Sequence, residues 1–284
     1  MFRKVIPVIL ILAVFTTACG MRVKLPIALT SGPTTTDQIN IPLPDDTTEA
    51  VHLSLAFGAG TLTLAPGSDA LISGTATYNV ADFKPEVTVS GHNVRIEQGE
   101  YTLKGIPDMS NIVNEWDLSI GNVPIDLSIK AGAYEAEYEF GGLSLTNLTI
   151  QDGAADVELA FSSPNYVGMT FFRYETGVSN VSLTGLANAN FTTMEFDSGA
   201  GNYTLDFSGE LKRDASVNIE TGVSNLTLII PEGIPVQVTV ESGLSNVSVG
   251  SGWTKNGKVY AQSGSGPVLT IVIEIGAGNL TLSH

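Results

Sequence analysis

The sequence predicts an all-β fold, a stacked β-solenoid built from repeats of about 22 residues. Apolar and polar residues alternate in short stretches, as at 51–55 and 236–240. Such alternation is typical of strands with one buried face. A unit with an acid, a glycine two residues later and then an asparagine also recurs at nearly constant spacing. With 284 residues, the chain is long enough to bury a sizeable core.

The first 20 residues have the layout of a secretory signal. Arg3 and Lys4 precede an apolar run at 5–15, and small residues then lead to Cys19. The run is too short to cross a membrane, which takes about 20 apolar residues. The segment resembles a bacterial lipoprotein signal, which implies a signal peptide over 1–18 and lipidation of Cys19. An ordinary signal cleaved nearby, with Cys19 incidental, is the alternative.

The charge of the chain limits its possible binding partners, and its cysteine content limits its disulfides. Cys19 is the only cysteine, so no intramolecular disulfide can form. The chain has 13 Lys and Arg against 29 Asp and Glu, a net charge of -16, which argues against binding nucleic acid or an anionic membrane surface. We therefore expect membrane contact through the lipid anchor alone. Residues 19–36 are rich in Pro, Ser, Gly and Thr and are expected to form a flexible tether.

The repeats are clearest in the second half. Copies of the unit begin at Glu175, Asp197, Glu220 and Glu241, and a last copy includes Gly276. The corresponding glycines stand at 132, 153, 177, 199, 222, 243 and 276, in steps of 21, 24, 22, 23, 21 and 33. We expect each copy to be one rung, stacked on its neighbour at ~4.8 Å. The glycine is expected at a sharp corner that requires a positive φ.

The last step is longer because it contains a predicted hairpin at 253–260. Asn256 and Gly257 between two strand-like flanks are a strong signal for a two-residue turn. In that register Lys255 faces Lys258 and Trp253 faces Tyr260.

Several stretches then resemble a known family. They include IPLP at 41–44, FGAGTLTL at 57–64, NEWDL at 114–118 and PIDL at 124–127. Together they look like the N-terminal domain of the toast-rack family of bacterial envelope proteins. The resemblance implies a toast-rack-like domain over 37–160, followed by β-solenoid repeats over 161–284. It also implies a location outside the cytoplasmic membrane, in proteins linked to envelope stress signalling or described as proposed adhesins. It provides no catalytic residues.

The repeated acids are one candidate site. Glu175, Asp197, Glu220, Glu241 and also Glu274 should stack in a row, where neighbours at ~4.8 Å in a solvent-like dielectric repel by about 0.9 kcal/mol before salt screening. A bridging cation such as calcium would relieve this repulsion. A solvated acidic face that keeps the solenoid soluble is the interpretation we favour. No other cofactor is indicated.

Two further features have alternative interpretations. The hairpin residues Trp253, Lys255, Lys258 and Tyr260 suit contact with a glycan or an anionic polymer. The alternative, which we favour, is a cap over the open end of the stack. A column of asparagines fits glycosylation acceptor sites, but we expect a hydrogen-bonded ladder. The column is Asn180, Asn202, Asn225, Asn246 and Asn279.

No catalytic pattern is present around the three histidines, His52, His92 and His284. The sequence therefore predicts a non-catalytic lipoprotein of the cell envelope, acting as a binding or scaffold module. Its partner would be an envelope polysaccharide or an envelope protein, in an adhesin-like or a stress-sensing role. The alternative is a β-helical polysaccharide-active enzyme that uses paired carboxylates from adjacent rungs.

Overall fold

The computed structural model describes residues 31–99 and 111–284. Within these residues the chain forms fifteen strands, all in one sheet, and two short 3-10 turns, Ala81–Phe83 and Leu186–Ala189. The strands are β1 Thr35–Ile41, β2 Val51–Ser68, β3 Ile72–Tyr78, β4 Pro85–Ser90, β5 Asn93–Gln98, β6 Asn114–Gly121, β7 Pro124–Glu139, β8 Ser144–Ala160, β9 Met169–Thr184, β10 Phe191–Asp206, β11 Ala215–Ile229, β12 Val236–Val249, β13 Thr254–Asn256, β14 Val259–Gln262 and β15 Leu269–Ser283.

The predicted all-β, stacked architecture is confirmed. Eight long strands run parallel to one another, in the spatial order β2, β7, β8, β9, β10, β11, β15, β12. Their register matches the sequence repeats, because Asp197 pairs with both Glu175 and Glu220. Each long strand is therefore one rung of the stack.

The rungs do not all follow chain order. The last strand, β15, lies between β11 and β12, and it pairs in parallel with both. The even spacing of the repeats suggests sequential stacking, and that suggestion is wrong for the last two rungs. The β13–β14 hairpin accordingly follows β12 in space, with β14 antiparallel to β12 and β13 at the edge of the sheet.

A glycine stands near the middle of each rung, between two arms of the strand. A Cβ on Gly222 would lie 2.5 Å from the carbonyl oxygen of Gly199 on the neighbouring rung. These two glycines do not have positive φ. The sequence correctly places glycine here, but the reason is the close approach of adjacent backbones and not the left-handed conformation that we expected.

Side chains alternate between the core and the surface along both arms. In β10, Phe196 and Tyr203 are buried, whereas Asn202 is exposed. Aromatic rings continue the core from rung to rung, with centroid distances of 6.0 Å for Phe140–Phe161 and 6.2 Å for Phe161–Phe172. Edge-to-face packing of this kind adds to the area that each rung buries against the next.

The N-terminal strands extend the same sheet. The first half of β2 pairs with β5 and its second half with β6, while β1, β3 and β6 form an antiparallel edge. β1 begins at Thr35, two residues before the predicted domain start at 37. One apolar core runs continuously across residues 160 and 161. The predicted division of the chain at that point remains a prediction.

Candidate functional site

Five carboxylates that line an open groove of about 950 Å³ form a row. This acidic row consists, in spatial order, of Glu175, Asp197, Glu220, Glu274 and Glu241. Parallel pairing without a register shift brings the acids into line, because each strand contributes the same position of its repeat. The sequence therefore predicted the members of the row. Their order differs, with Glu274 before Glu241, because β15 precedes β12 in the sheet.

Arg173 neutralises one end of the acidic row. Its Nη1 atom lies 3.1 Å from Oε1 of Glu175, and its Nε atom donates a hydrogen bond of 3.0 Å to Oε2 of Glu195. A second guanidinium nitrogen, Nη2, also contacts Glu195. The Gln151 side-chain amide donates to Glu175 over 2.5 Å. Glu175 is thus held by protein donors on two sides.

The other end of the acidic row has a weaker partner. The Lys258 Nζ atom lies 3.5 Å from Glu241, and both side chains are largely exposed. Between the two ends, Asn218 donates a hydrogen bond of 3.2 Å to Glu220. Cations from the chain itself therefore flank the row, which reduces the repulsion expected from its sequence.

Asp197 lies inside the row, between Glu175 and Glu220. Partial burial raises the pKa of its carboxyl group, and the charges of Glu220, Glu195 and Glu175 raise it further. Arg173 acts in the opposite direction without cancelling these effects. Asp197 therefore takes up a proton more readily than a free aspartate does.

A calcium site at Glu175, Asp197, Glu220 and Glu241 remains a prediction. Within residues 31–99 and 111–284, no group of three or more His, Cys, Asp or Glu is placed to hold a metal ion. Calcium takes six to eight oxygen ligands that surround it, whereas these carboxylates follow one line. An ion bridging two neighbours would need water for most of its coordination sphere.

The hairpin has a different register from the predicted one. Lys255 pairs with Tyr260 and Asn256 pairs with Val259, so Gly257 and Lys258 form the centre of the turn. Gly257 has a φ of 60°, which suits the first central position of a tight hairpin turn. The facing pairs Lys255–Lys258 and Trp253–Tyr260 are therefore wrong.

The hairpin aromatics face the protein. Tyr260 is 5% exposed and belongs to the apolar core, and Lys255 Nζ lies 4.9 Å from its ring centroid. Trp253 packs against the same core and stacks on His284 at a centroid distance of 6.0 Å. Ligand contact by Trp253, Lys255, Lys258 and Tyr260 stays a prediction, and the two lysines are its exposed members.

The asparagine column forms a continuous ladder on the other arm. Each side-chain amide donates to the side-chain oxygen of the next asparagine, over distances of 2.7–3.2 Å. The order of the ladder is Asn246, Asn279, Asn225, Asn202 and Asn180. All four amides point in the same direction, so every rung boundary from β9 to β12 has one such bond.

A carboxylate at the corner of β8 was not predicted from the sequence. Asp152 accepts hydrogen bonds from Tyr174 over 2.8 Å and from Tyr134 and Ser179 over 3.4 Å, and it also contacts the Thr176 hydroxyl. It lines the same groove as the acidic row. Aligned repeats contain a signal for it, because Asp152 pairs with Thr176, where a small hydroxyl residue is the usual one.

Burial dominates the electrostatics around Asp152. It raises the pKa of this carboxyl group, and the hydrogen bonds from the surrounding hydroxyls only partly offset the shift. The pKa values of the neighbouring Tyr134, Tyr138 and Tyr174 are also raised, again mainly by burial. The tyrosines therefore stay protonated and act as donors, which leaves Asp152 as the titrating group of the cluster.

The amino-acid sequence matches a protein family. The family described as the N-terminal domain of toast_rack, DUF2154, matches residues 30–183 and again 169–229. Those matches cover more than half of the chain. The chain belongs to the toast-rack family. The second match shows that the family pattern itself recurs along this toast-rack protein, as its repeated rungs require. No curated protein matches the sequence.

Solved structures with a similar arrangement include a proposed cell adhesion protein from Clostridium sporogenes, which is 21% identical. The alignment covers 88% of the toast-rack protein and 99% of that chain, with a TM-score of 0.49. A proposed adhesin from Bacteroides fragilis is 8% identical, covering 90% and 99%, with a TM-score of 0.35. A proposed lipid binding protein from Parabacteroides distasonis is 12% identical, covering 89% and 98%, also with a TM-score of 0.35. At these values the likeness does not extend to function.

Two predictions concern the membrane. The signal peptide over 1–18 and the lipidated Cys19 lie outside the described residues. In the part of the toast-rack protein that the structure describes, no helix is long and apolar enough to span a membrane.

Proposed function

We propose that this toast-rack protein is an exported, lipid-anchored, non-catalytic binding or scaffold module of the cell envelope. The observation that carries the proposal is the regularity of its outer surface. The acidic row repeats a carboxylate and the asparagine ladder repeats an amide from rung to rung across five neighbouring strands. Catalysis needs different groups that converge on one reacting atom, whereas a repeated row suits an extended partner.

The anchor would be lipid attached to Cys19. The chain has no other cysteine to compete for that modification. Removal of residues 1–18 would take away Arg3 and Lys4 and leave 11 Lys and Arg against 29 Asp and Glu, a net charge of -18. This acidic body would be repelled by anionic headgroups and would project away from the membrane. The rungs would then be displayed to the space outside the membrane, where polysaccharides and other envelope proteins are available.

The groove beside the acidic row supports this interpretation. Five of its six carboxylates lie in line, and Arg173 is already engaged by Glu175 and Glu195. The sixth, Asp152, lies one position away from the row and is held by hydroxyl donors of the corner. Lys258 lies at the far end of the groove, beside Glu241. The enzyme alternative needs two carboxylates placed on either side of a substrate bond. A single row offers an extended contact line instead.

Two experiments test the proposal. Metabolic labelling with a fatty acid should label the protein, and Cys19→Ser should abolish the label. For binding, the full chain is immobilised and exposed separately to envelope polysaccharides and to solubilised envelope proteins, with and without calcium. Specific retention of either class supports the binding role, and dependence on calcium would assign a cation to the acidic row.

Matched variants locate the surface. The pair Asp197→Asn and Glu220→Gln removes two charges from the acidic row. The pair Asp45→Asn and Glu49→Gln removes two exposed charges elsewhere and is the control. We expect only the first pair to weaken retention. Cleavage of a polysaccharide by the purified chain would overturn the proposal in favour of the enzyme alternative. Retention of neither class would also overturn the proposed binding role.

A further inference from the structure

The strand β15 occupies a slot between two strands that do not pair with each other. It is in register with β11 from Leu269 to Ser283 and with β12 from Leu269 to Leu282. Four of its apolar residues, Ile271, Ile273, Leu280 and Leu282, have no exposed surface. The slot therefore provides two strand edges for hydrogen bonding and an apolar core for packing to one extended segment.

The strands beyond the slot depend on β15. Among the residues that the structure describes, β12 pairs only with β15 and β14, and β13 pairs only with β14. Residues 236–262 thus join the rest of the sheet through β15 and through the chain connection at 230–235. A β15 strand from a second molecule of this protein would complete the sheet in the same way as the chain's own β15.

The link between β14 and β15 could adopt a second, extended conformation. Residues 263–268 read SGSGPV, and most of them are exposed. Six extended residues reach about 20 Å, more than twice the ~9.6 Å across two strand spacings. The segment is held by a bond of 3.1 Å from the Ser265 amide to the Gly233 carbonyl, and Gly264 forms a bridge with Gly233. The Val268 amide also donates a hydrogen bond of 2.8 Å to Asp214, which directly precedes β11, and the Val268 carbonyl accepts one of 3.0 Å from Ala215. Both bonds seat the start of β15 beside β11, so straightening the link would remove the contacts with Gly233 and leave these two in place.

We propose that β15 is an exchangeable strand, through which two copies of this chain associate by each placing β15 in the slot of the other. A second copy offers the same two edges, so every register pair would form again between copies. The hydrogen bond from Asn279 to Asn225 would form again as well. The closed and exchanged forms then differ mainly in the link at 263–268 and in the entropy of association, which makes exchange depend on concentration.

Cysteine pairs test the proposal in a full-length background carrying Cys19→Ser. One preparation carries Thr227→Cys on β11 and the other carries Thr281→Cys on β15, two positions that pair in register. The two are mixed in mild urea, concentrated, returned to buffer and oxidised. Neighbouring strands place the Cα atoms ~4.8 Å apart, within the range of a disulfide. We expect a disulfide-linked dimer on a non-reducing gel.

Two controls make the result decisive. Thr204→Cys mixed with Thr281→Cys places the thiols two strands apart, about 9.6 Å, where a disulfide does not form. A single chain with both Thr227→Cys and Thr281→Cys, oxidised at low concentration, should cross-link internally and shows that the pair can react. If that chain cross-links but the mixed pair gives no more dimer than the Thr204 control, β15 does not exchange and the proposal is wrong.

Discussion

Asn279 donates a hydrogen bond of 2.7 Å to Asn225, a residue 54 positions earlier in the chain. Asn225 in turn donates to Asn202 over 2.9 Å, so it takes part in two ladder bonds. Asn246, at the end of the ladder, takes part in one. The same residue type in the same repeat position therefore has a different number of partners according to its rung.

That difference predicts unequal costs of removal. We expect Asn225→Ala to lower the free energy of unfolding by about 1–2 kcal/mol and Asn246→Ala by about half of that, because a typical hydrogen bond contributes about 1 kcal/mol. Urea unfolding followed by circular dichroism measures both. Equal losses would show that the ladder contributes little and that each asparagine acts through its own strand.

Asp152 should make stability depend on pH. Its pKa is raised in the folded state, so the folded protein binds this proton more tightly than the unfolded chain does. Its contribution therefore favours folding below the unfolded pKa of about 3.9 and becomes unfavourable as pH rises through the folded pKa. We expect Asp152→Asn to raise the urea midpoint at pH 7 and to change it little at pH 4. An unchanged pH profile would place the main titration elsewhere.

Arg173 should contribute more to the free energy of unfolding than an ordinary surface arginine does. It contacts Glu175 and Glu195 together, and its loss would leave both charges beside Asp197. We expect Arg173→Ala to cost about 1 kcal/mol at low salt, near the upper end for exposed pairs, and less in 1 M salt. Arg95→Ala, which removes an arginine that forms an ion pair with one acid, Glu97, among the described residues, is the control. A loss at Arg173 no larger than that at Arg95 contradicts the prediction.

Close backbone approach predicts the effect of adding a single carbon. A Cβ at Gly222 would lie 2.5 Å from the Gly199 carbonyl, whereas at Gly250 the nearest atom is 3.4 Å away. We expect Gly222→Ala to destabilise the fold by about 1–3 kcal/mol, as overpacking does, and Gly250→Ala to have a much smaller effect. Thermal unfolding of both variants provides the comparison. Similar melting temperatures would mean that the stack can widen at the corner.

His284 should stabilise the end of the stack in a pH-dependent way. Its Nδ1 and Nε2 atoms lie 3.2 and 2.5 Å from the carbonyl oxygens of Ile230 and Ser251, so the doubly protonated ring satisfies both. These carbonyls raise its pKa, and Glu232 adds to the effect. The stabilisation is complete below the unfolded pKa of about 6.5 and is lost as pH rises through the folded value. We expect His284→Ala to lower the melting temperature at pH 5.5 and to change it least at pH 9.

Periodicity was sufficient to predict the fold class, the acidic row and the asparagine ladder, because each depends only on equivalent residues lying side by side. It could not predict the place of β15. The repeats around Glu220, Glu241 and Glu274 are nearly the same, so any order of their strands satisfies the register. What differs between the possible orders is how the chain connects them, and residue type does not encode that path.

The hairpin and Asp152 were missed for local reasons. Asn256 and Gly257 are the commonest pair at the centre of a tight turn, yet the chain uses Gly257 and Lys258. Asp152 stands one residue after the position that the acidic row uses, so the repeat pattern does not single it out. Its tyrosine donors come from β7 and β9, and only the stacked structure brings them together.

The position of β15 also makes the fold sensitive to its own completeness. In a stack that grows in chain order, losing the last strand shortens the sheet by one rung and leaves the others intact. Here the loss of Leu269–Ser283 would open the sheet internally and detach β12 with its hairpin from β11. A damaged chain would therefore expose a long strand edge beside apolar core, the kind of surface that proteases and chaperones recognise.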